Sequence, residues 1–425
     1  MPNPLLSKLA LVQMFLTAIT VSCLITTPAW AELGDELFKL TPSDAPVDDL
    51  FGWNVAISGN IAIVGADGDD DAGDLSGSAY LFDVTTGQQL RKLTASDAAA
   101  GDRFGSSVAV DGNIAIVGAR RRNTGAAYLF DVTTGQELFK LTASDVPFPR
   151  GFGLSVAISG NTAVVGAPLD NHASVGSGSA YLFNVTTGQQ LAKLTASGAS
   201  ANDLFGISVA ISGNKALIGT PYDDQVSAKS GSAYLFDVAT FQELAKFTTS
   251  DAGAFGESVA ISGNTALVGR SRSLECCGFL GAAYLIDVTT GEELFKLTGS
   301  DPGFGNLDTF GLSVALSGDR AIVGQQTQNA GAGVAHLFDV STGSKLTTLS
   351  ASDAAAHDAF GRSVAISGNT ALVGSIGGEF GAPDRFGAAY VFSTVPEPGN
   401  IALSALGLPL LVCRNSFRKN ERRIS

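Results

Sequence analysis

Phe-Gly recurs seven times along the chain, at 51–52, 104–105, 152–153, 205–206, 255–256, 310–311 and 360–361, with spacings of 48 to 55 residues. A period of this kind restricts the fold to stacked or radially arranged repeats, because a unit so small cannot bury both of its own faces. After each Phe-Gly comes a phrase such as Ser258-Val259-Ala260-Ile261-Ser262-Gly263-Asn264-Thr265-Ala266-Leu267-Val268-Gly269, two apolar runs about a short turn, which signals a β-hairpin. A loop of variable length follows, then a third run at 282–288, a Thr-Thr-Gly turn at 289–291 and a fourth run at 293–298. Each unit therefore reads as a four-stranded antiparallel meander, and repeats of this length with four strands point to propeller blades. The expected fold is all-β, a seven-bladed β-propeller over residues 32–394.

The strand inventory adds a closure rule. The seventh unit stops after its third run, Ala388-Ala389-Tyr390-Val391-Phe392, so one fourth strand is missing. A strand of the right kind stands at the other end, where Glu36-Leu37-Phe38-Lys39-Leu40-Thr41 repeats Glu137-Leu138-Phe139-Lys140-Leu141-Thr142. The N-terminal strand is expected to complete the last blade, burying Leu37, Phe38 and Leu40 and leaving no free blade edge. Each Phe of Phe-Gly is expected to pack between blades, with the Gly letting the chain turn close to the innermost strand.

Phe-Gly followed by Val165-Gly166-Ala167-Pro168, and its relative Ile218-Gly219-Thr220-Pro221, resembles the FG-GAP repeat over residues 34–392. The resemblance implies the seven-bladed propeller of integrin α chains and of many bacterial surface proteins. It also implies calcium on the first hairpin of a blade, in an Asp-x-Asp-x-Asp-Gly loop, but the turns here are Ser58-Gly59-Asn60, Asp111-Gly112-Asn113 or Ser317-Gly318-Asp319, with at most one carboxylate each. Those calcium sites are not expected to transfer. A different loop, Asp67-Gly68-Asp69-Asp70-Asp71-Ala72-Gly73-Asp74, sets carboxylates at Asp67, Asp69 and Asp71 with the alternation of a calcium loop. It departs from an EF-hand in its inserted Ala72 and in Ser78 where the bidentate Glu would stand, so a solvated charge run is the competing reading. No other cofactor is suggested.

The ends carry export signals. Lys8, an apolar run from Leu9 to Ile25 and small residues flanking Trp30 read as a secretory signal peptide over residues 1–31, cleaved after Ala31. At the other end, Pro396-Glu397-Pro398, an apolar stretch at 401–412 and the basic residues Arg414, Arg418, Lys419, Arg422 and Arg423 resemble a PEP-CTERM sorting tail over residues 395–425. The resemblance implies recognition of Pro396, Glu397 and Pro398 by an exosortase, with residues 401–412 held transiently in the inner membrane and the basic end left on the cytoplasmic side. The stretch is short for a lasting span and is interrupted by Pro409.

Six of the 26 basic and two of the 40 acidic residues lie in these tails, leaving 20 against 38, about −18, on the rest. Nucleic acid is therefore not expected as a partner. Cys276 and Cys277, the two cysteines outside the tails, form neither a disulfide framework nor a zinc spacing. His172, His336 and His357 stand apart from any nucleophile motif, and His336 replaces the Tyr of the third run, which reads as a packing substitution. The Ser-Asp pairs at 96–97, 144–145, 250–251, 300–301 and 352–353 are expected to cap turns through their own backbone. Loop length varies on one face of the disc, from Ala119-Arg120-Arg121-Arg122-Asn123 to residues 375–386, which suggests a recognition surface, with neutral drift in exposed loops as the competing reading. The sequence points to a cell-surface or extracellular-matrix protein, not an enzyme, holding an exopolysaccharide or a surface protein. The alternatives are a secreted polysaccharide hydrolase or lyase and a spacer without a ligand.

Overall fold

The computed structural model describes residues 31–44, 49–120, 125–144, 150–224, 230–251, 253–271, 280–299, 308–327, 331–377 and 387–395. The apolar leader, Pro396-Glu397-Pro398, the stretch at 401–412 and Cys276-Cys277 lie outside these residues. Twenty-eight strands among the described residues form seven four-stranded antiparallel sheets. Six blades are consecutive, at 51–93, 104–141, 155–194, 208–247, 254–297 and 314–349. The seventh combines Ser363–Ser367, Thr370–Ser375 and Ala388–Ser393 with the N-terminal strand Glu36–Leu40 as its outermost member. Phe38 stands opposite Val391, Lys39 opposite Tyr390 and Leu40 opposite Ala389, so the expected ring closure is present.

Both faces of every blade are apolar, because the second and third strands are buried on alternate residues in both directions. In blade 1, Ala62 and Val64 face blade 7 while Ile63 faces blade 2, and the same division repeats around the ring. Seven apolar clusters result, one in each seam. The seam between blades 7 and 1 joins Leu40, Ala389 and Val391 to Phe51, Val64 and Tyr80. Each Phe of Phe-Gly lies in a seam, as the sequence implied. Phe104 is fully buried and meets Tyr128 and Phe130 edge to face at 5.6 and 5.8 Å.

At the axis the blades approach so closely that only glycine fits. A Cβ on Gly105 (φ +89°) would lie 2.2 Å from the Ser78 carbonyl oxygen, and one on Gly65 would lie 2.0 Å from the Gly105 carbonyl oxygen. In six of the seven blades a serine two residues beyond this glycine stitches the inner strands: Ser107 Oγ donates to the Gly153 carbonyl at 2.8 Å and Ser155 Oγ to the Gly206 carbonyl at 2.8 Å. On the opposite face the Ser-Gly-Asn turns make a second ring. The Gly112 amide donates to Ser58 Oγ at 3.1 Å, and the series runs through Asp111, Ser159, Ser212, Ser262 and Ser317 to Ser367, whose Oγ accepts from Gly59.

Two expectations are corrected. Leu37 is exposed, at 39 %, and only Phe38 and Leu40 pack into the seam, because alternate side chains of an outermost strand point over the rim. The Ser-Asp pairs at 96–97 and 352–353, expected to cap their own turns, reach forward to the blade they lead into. Ser96 Oγ and N–H both donate to the Glu137 carboxylate, while Asp97 accepts from Tyr128 Oη at 2.9 Å and Lys140 Nζ at 2.5 Å. Ser352 and Asp353 bind Glu36, Tyr390 and Lys39 in the same way, so the latch also fastens the N-terminal strand. Lys140 holds the Asp97 carboxyl below the usual carboxylate range through that hydrogen bond.

Deleting residues 34–41 is expected to lower stability by about 3–5 kcal/mol, from the burial lost at Phe38 and Leu40 and the edge opened on blade 7. Denaturant unfolding of the deletion beside the full chain measures this, and an unchanged midpoint would contradict the closure.

Candidate functional site

The innermost strands surround an axial channel with a cavity of about 430 Å³. Its wall is built from the residue that follows each Phe-Gly and its neighbours. In the order of the blades that residue is Trp53, Ser106, Leu154, Ile207, Glu257, Leu312 and Arg362, all of which line the cavity. Because Phe points into a seam and Gly crowds the neighbouring backbone, the next side chain is free to face the axis. Leu154, Ile207 and Leu312 make the wall apolar on the side of blades 3, 4 and 6. Trp53 and Arg362, from blades 1 and 7, and Arg120, at the end of the second strand of blade 2, gather on the other side.

Two guanidinium groups meet the Trp53 indole. The Arg362 guanidinium lies 4.2 Å from the ring centre and that of Arg120 lies 5.3 Å from it. Arg120 Nη2 also donates to Asp67 Oδ2 at 3.0 Å, and Arg103 Nη1 approaches the same oxygen at 3.3 Å. Asp67 is fully buried, its Oδ1 has no hydrogen-bond partner, and neither has Arg120 Nε. Farther round the wall, the Glu257 carboxylate accepts a hydrogen bond from Ser271 Oγ. Burial pushes this carboxyl up, against the opposing effects of Ser271 and the Arg362 charge. The mouth of the channel lies on the variable-loop face, since Arg120 opens a second-to-third loop.

The acidic loop divides in two. Asp67 turns to Arg103 and Arg120, whereas the buried Asp69 and the exposed Asp71 meet Asp44 from the connection before blade 1, with carboxylate oxygens of all three within 4.8 Å of one another. The set that converges is thus Asp44, Asp69 and Asp71, not Asp67, Asp69 and Asp71. Lys92 Nζ stands among them, at 2.7, 2.8 and 2.6 Å from Asp44, Asp69 and Asp71. A divalent ion does not fit these oxygens while the ammonium holds them. Asp69 also occupies a repeated position: Asp170 and Asp223 stand at the same place in blades 3 and 4, where each accepts from a third-strand Tyr and a fourth-strand Lys. Asp49, buried beside this cluster, has its carboxyl pushed up to about 7, by burial first and then by the Asp69 charge.

His336 is a packing substitution, as its place in the strand suggested, and it brings its own partners. It is fully buried, with Nδ1 3.1 Å from Thr348 Oγ1 and Nε2 3.0 Å from Gln325 Oε1. Thr348 replaces the Lys that faces Tyr in the other blades, so both members of the cross-strand pair changed together. Burial drives the His336 ring down to about 4, with a smaller contribution from Lys345. His172 and His357 are exposed loop residues.

A family model for the FG-GAP repeat matches residues 35–82, 88–130, 136–183, 189–236, 292–338 and 344–392, about two thirds of the chain. The chain belongs to the FG-GAP repeat family. Each matched segment begins on an outermost strand and ends on the third strand of the next blade, so the FG-GAP sequence unit straddles two blades. The unmatched stretch between 236 and 292 nevertheless follows the same plan, with the fourth strand of blade 4 and the first three strands of blade 5, and with Phe255 against Tyr284 at 5.5 Å. No curated protein matches the chain significantly.

The sequence reading missed Trp53, Arg362 and Glu257. The signal was there: they occupy the variable third position of the phrase that reads Phe-Gly-x-Ser in six blades and Phe-Gly-x-Asn in blade 1, and that position carries a charge or a large ring in only three of seven copies.

Lys92→Met is expected to cost about 3 kcal/mol or more, because it strands the buried Asp69 beside two further carboxylates. Lys140→Met, which loosens a half-exposed pair, should cost less than about 1 kcal/mol. Urea unfolding separates the two, and equal losses would contradict the account. For His336 the folded value lies below the unfolded one, so its contribution is intact above pH 6.5 and stability falls as pH drops from there toward 4, by up to about 3 kcal/mol. His336→Tyr should flatten that limb of the pH–stability curve, and an unchanged slope would show that other groups set it.

Proposed function

We propose that this protein is an exported binding protein of the cell surface or extracellular matrix, which holds a polysaccharide or protein ligand on the variable-loop face of its propeller and does no chemistry on it. The observation that carries this reading is the asymmetry of the disc. One face is closed by short uniform turns tied into a ring, while the other combines loops of unequal length with a channel mouth whose wall breaks the repeat symmetry. FG-GAP propellers suit such a role in general, since a rigid ring supports loops that vary without disturbing the core.

Export and sorting rest on the sequence of the two ends. In this reading the signal peptide is cut after Ala31, residues 401–412 pause in the inner membrane, and an exosortase-type enzyme cuts near Pro396-Glu397-Pro398, releasing the propeller outward. Among the described residues no helix is long and apolar enough to cross a membrane.

Mass spectrometry of the cell-surface or extracellular protein should find a C-terminus near Pro396-Glu397-Pro398. A chain still ending at Ser425 would replace sorting by a plain membrane anchor. Pull-down against the producing cell's exopolysaccharide and surface extract should capture a ligand, and capture should be lost when the variable loops are exchanged for short turns. Turnover of the captured polymer would contradict the non-enzymatic reading.

A further inference from the structure

We propose that the loop-side mouth of the axial channel is an anion-binding site, built to take one carboxylate or sulfate group carried by a small sugar acid or by the end of an acidic polysaccharide. The inference rests on the binding role above and names the ligand chemistry for it.

Sign comes first. The charged side chains lining the cavity are Arg120, Arg362 and Glu257, and behind the wall the Asp67 carboxylate paired with Arg120 is also met by Arg103, so three cations stand against two carboxylates in a chain whose formal net charge is −14. A cationic cleft in an acidic protein focuses the field inward and draws a single anionic group to its mouth. Glu257 opposes this charge, and its burial, which pushes the carboxyl up against the hydrogen bond from Ser271, weakens that opposition.

Geometry comes second. Arginine side chains in a solvated channel would ordinarily sample many rotamers, and binding would have to order them at about 0.5–1.5 kcal/mol each. Here Trp53 holds both guanidinium planes against its indole, so much of that ordering is already done. Asp67 takes one Nη2 proton of Arg120 and so fixes the guanidinium at the channel wall, where its other Nη protons are donors for a carboxylate or sulfate oxygen. The cavity volume, about 430 Å³, falls in the range of small-molecule sites, and Leu154, Ile207 and Leu312 offer an apolar wall opposite the arginines.

Packing comes third. The seams need nothing from the residue after Phe-Gly, whose side chain faces the axis, and Ser, Leu and Ile serve there in blades 2, 3, 4 and 6. Trp53 and Arg362 are thus unexplained by the ring and are explained by a ligand in it. Trp53 is a positioning residue in this scheme; Arg362 and Arg120 make the contacts.

Calorimetry at low salt on the purified full-length protein provides the test, with glucuronate, glucose, inorganic sulfate and an oligogalacturonate as probes. Glucuronate and the oligogalacturonate should bind, and glucose should not. Arg362→Gln should weaken binding at least about tenfold with the melting curve unchanged. Arg362→Lys, which keeps the charge and loses the planar fork, should fall between. In a Trp30→Phe background, Trp53 becomes the only tryptophan of the chain, and its emission should shift on addition of glucuronate. Binding of glucuronate that is indifferent to both Arg362 variants, or no change in Trp53 emission, would overturn the site. If the producing cell's polysaccharide is captured equally by wild type and Arg362→Gln, the surface-binding role stands and the channel site falls. If glucuronate binds in an Arg362-dependent way while no polymer or surface protein is captured, the site stands and the surface role falls.

Discussion

Seven sheets that converge on one axis must bring their innermost backbones into contact, and everything else in this molecule is arranged around that approach. Two glycines per blade allow it. The Gly of Phe-Gly in one blade lies against the glycine that ends the second strand of its neighbour, at distances no side chain tolerates. The cost is a backbone freed from side-chain constraint at the most crowded point of the fold. Hydrogen bonds offset it: the first-hairpin turns bind across every seam, and serines of the inner strands add a bond at a second height in every seam but that of blades 1 and 2, where Asn54 stands in place of the serine.

Between the glycine axis and the rim, burial supplies the cohesion. Because each blade is apolar on both faces, no seam is dispensable and none is complete without its neighbour. The N-terminal strand is the last piece of this arrangement. It contributes Leu40 to the closing seam, Lys39 to the Tyr390 pair and Glu36 to the Ser352 latch, the same three interactions that the outermost strand of blade 2 makes within continuous chain through Leu141, Lys140 and Glu137. Closure is thus chemical repetition of the other seams with the chain order reversed.

The same geometry frees one position per blade. A side chain after Phe-Gly faces neither seam nor solvent surface but the axis, and the ring is indifferent to what stands there. Rigid surroundings with a tolerant position suit recognition, since a change at Trp53 or Arg362 alters the channel and leaves the blades as they are. The acidic loop shows the opposite situation. Its carboxylates are absorbed into structure: Asp67 by two arginines, and Asp69 and Asp71 by the ammonium of Lys92.

Periodicity alone determined the blade count, the four-strand meander and the closing role of residues 36–41, because these follow from local pattern and from counting. The family signature added the ring, and the loss of the Asp ladder in the first hairpins was equally plain. What required the tertiary structure were relations between blades. Nothing local says that Asp97 reaches Tyr128 and Lys140, that Leu37 points outward while Leu40 is buried, or that Asp44 replaces Asp67 beside Asp69. Nor does a linear chain show that Trp53, Arg120 and Arg362, from three blades, share one channel mouth. Each of these depends on the angle at which successive sheets fan about the axis, and that angle is set by the packing of all seven seams together, not by any one repeat.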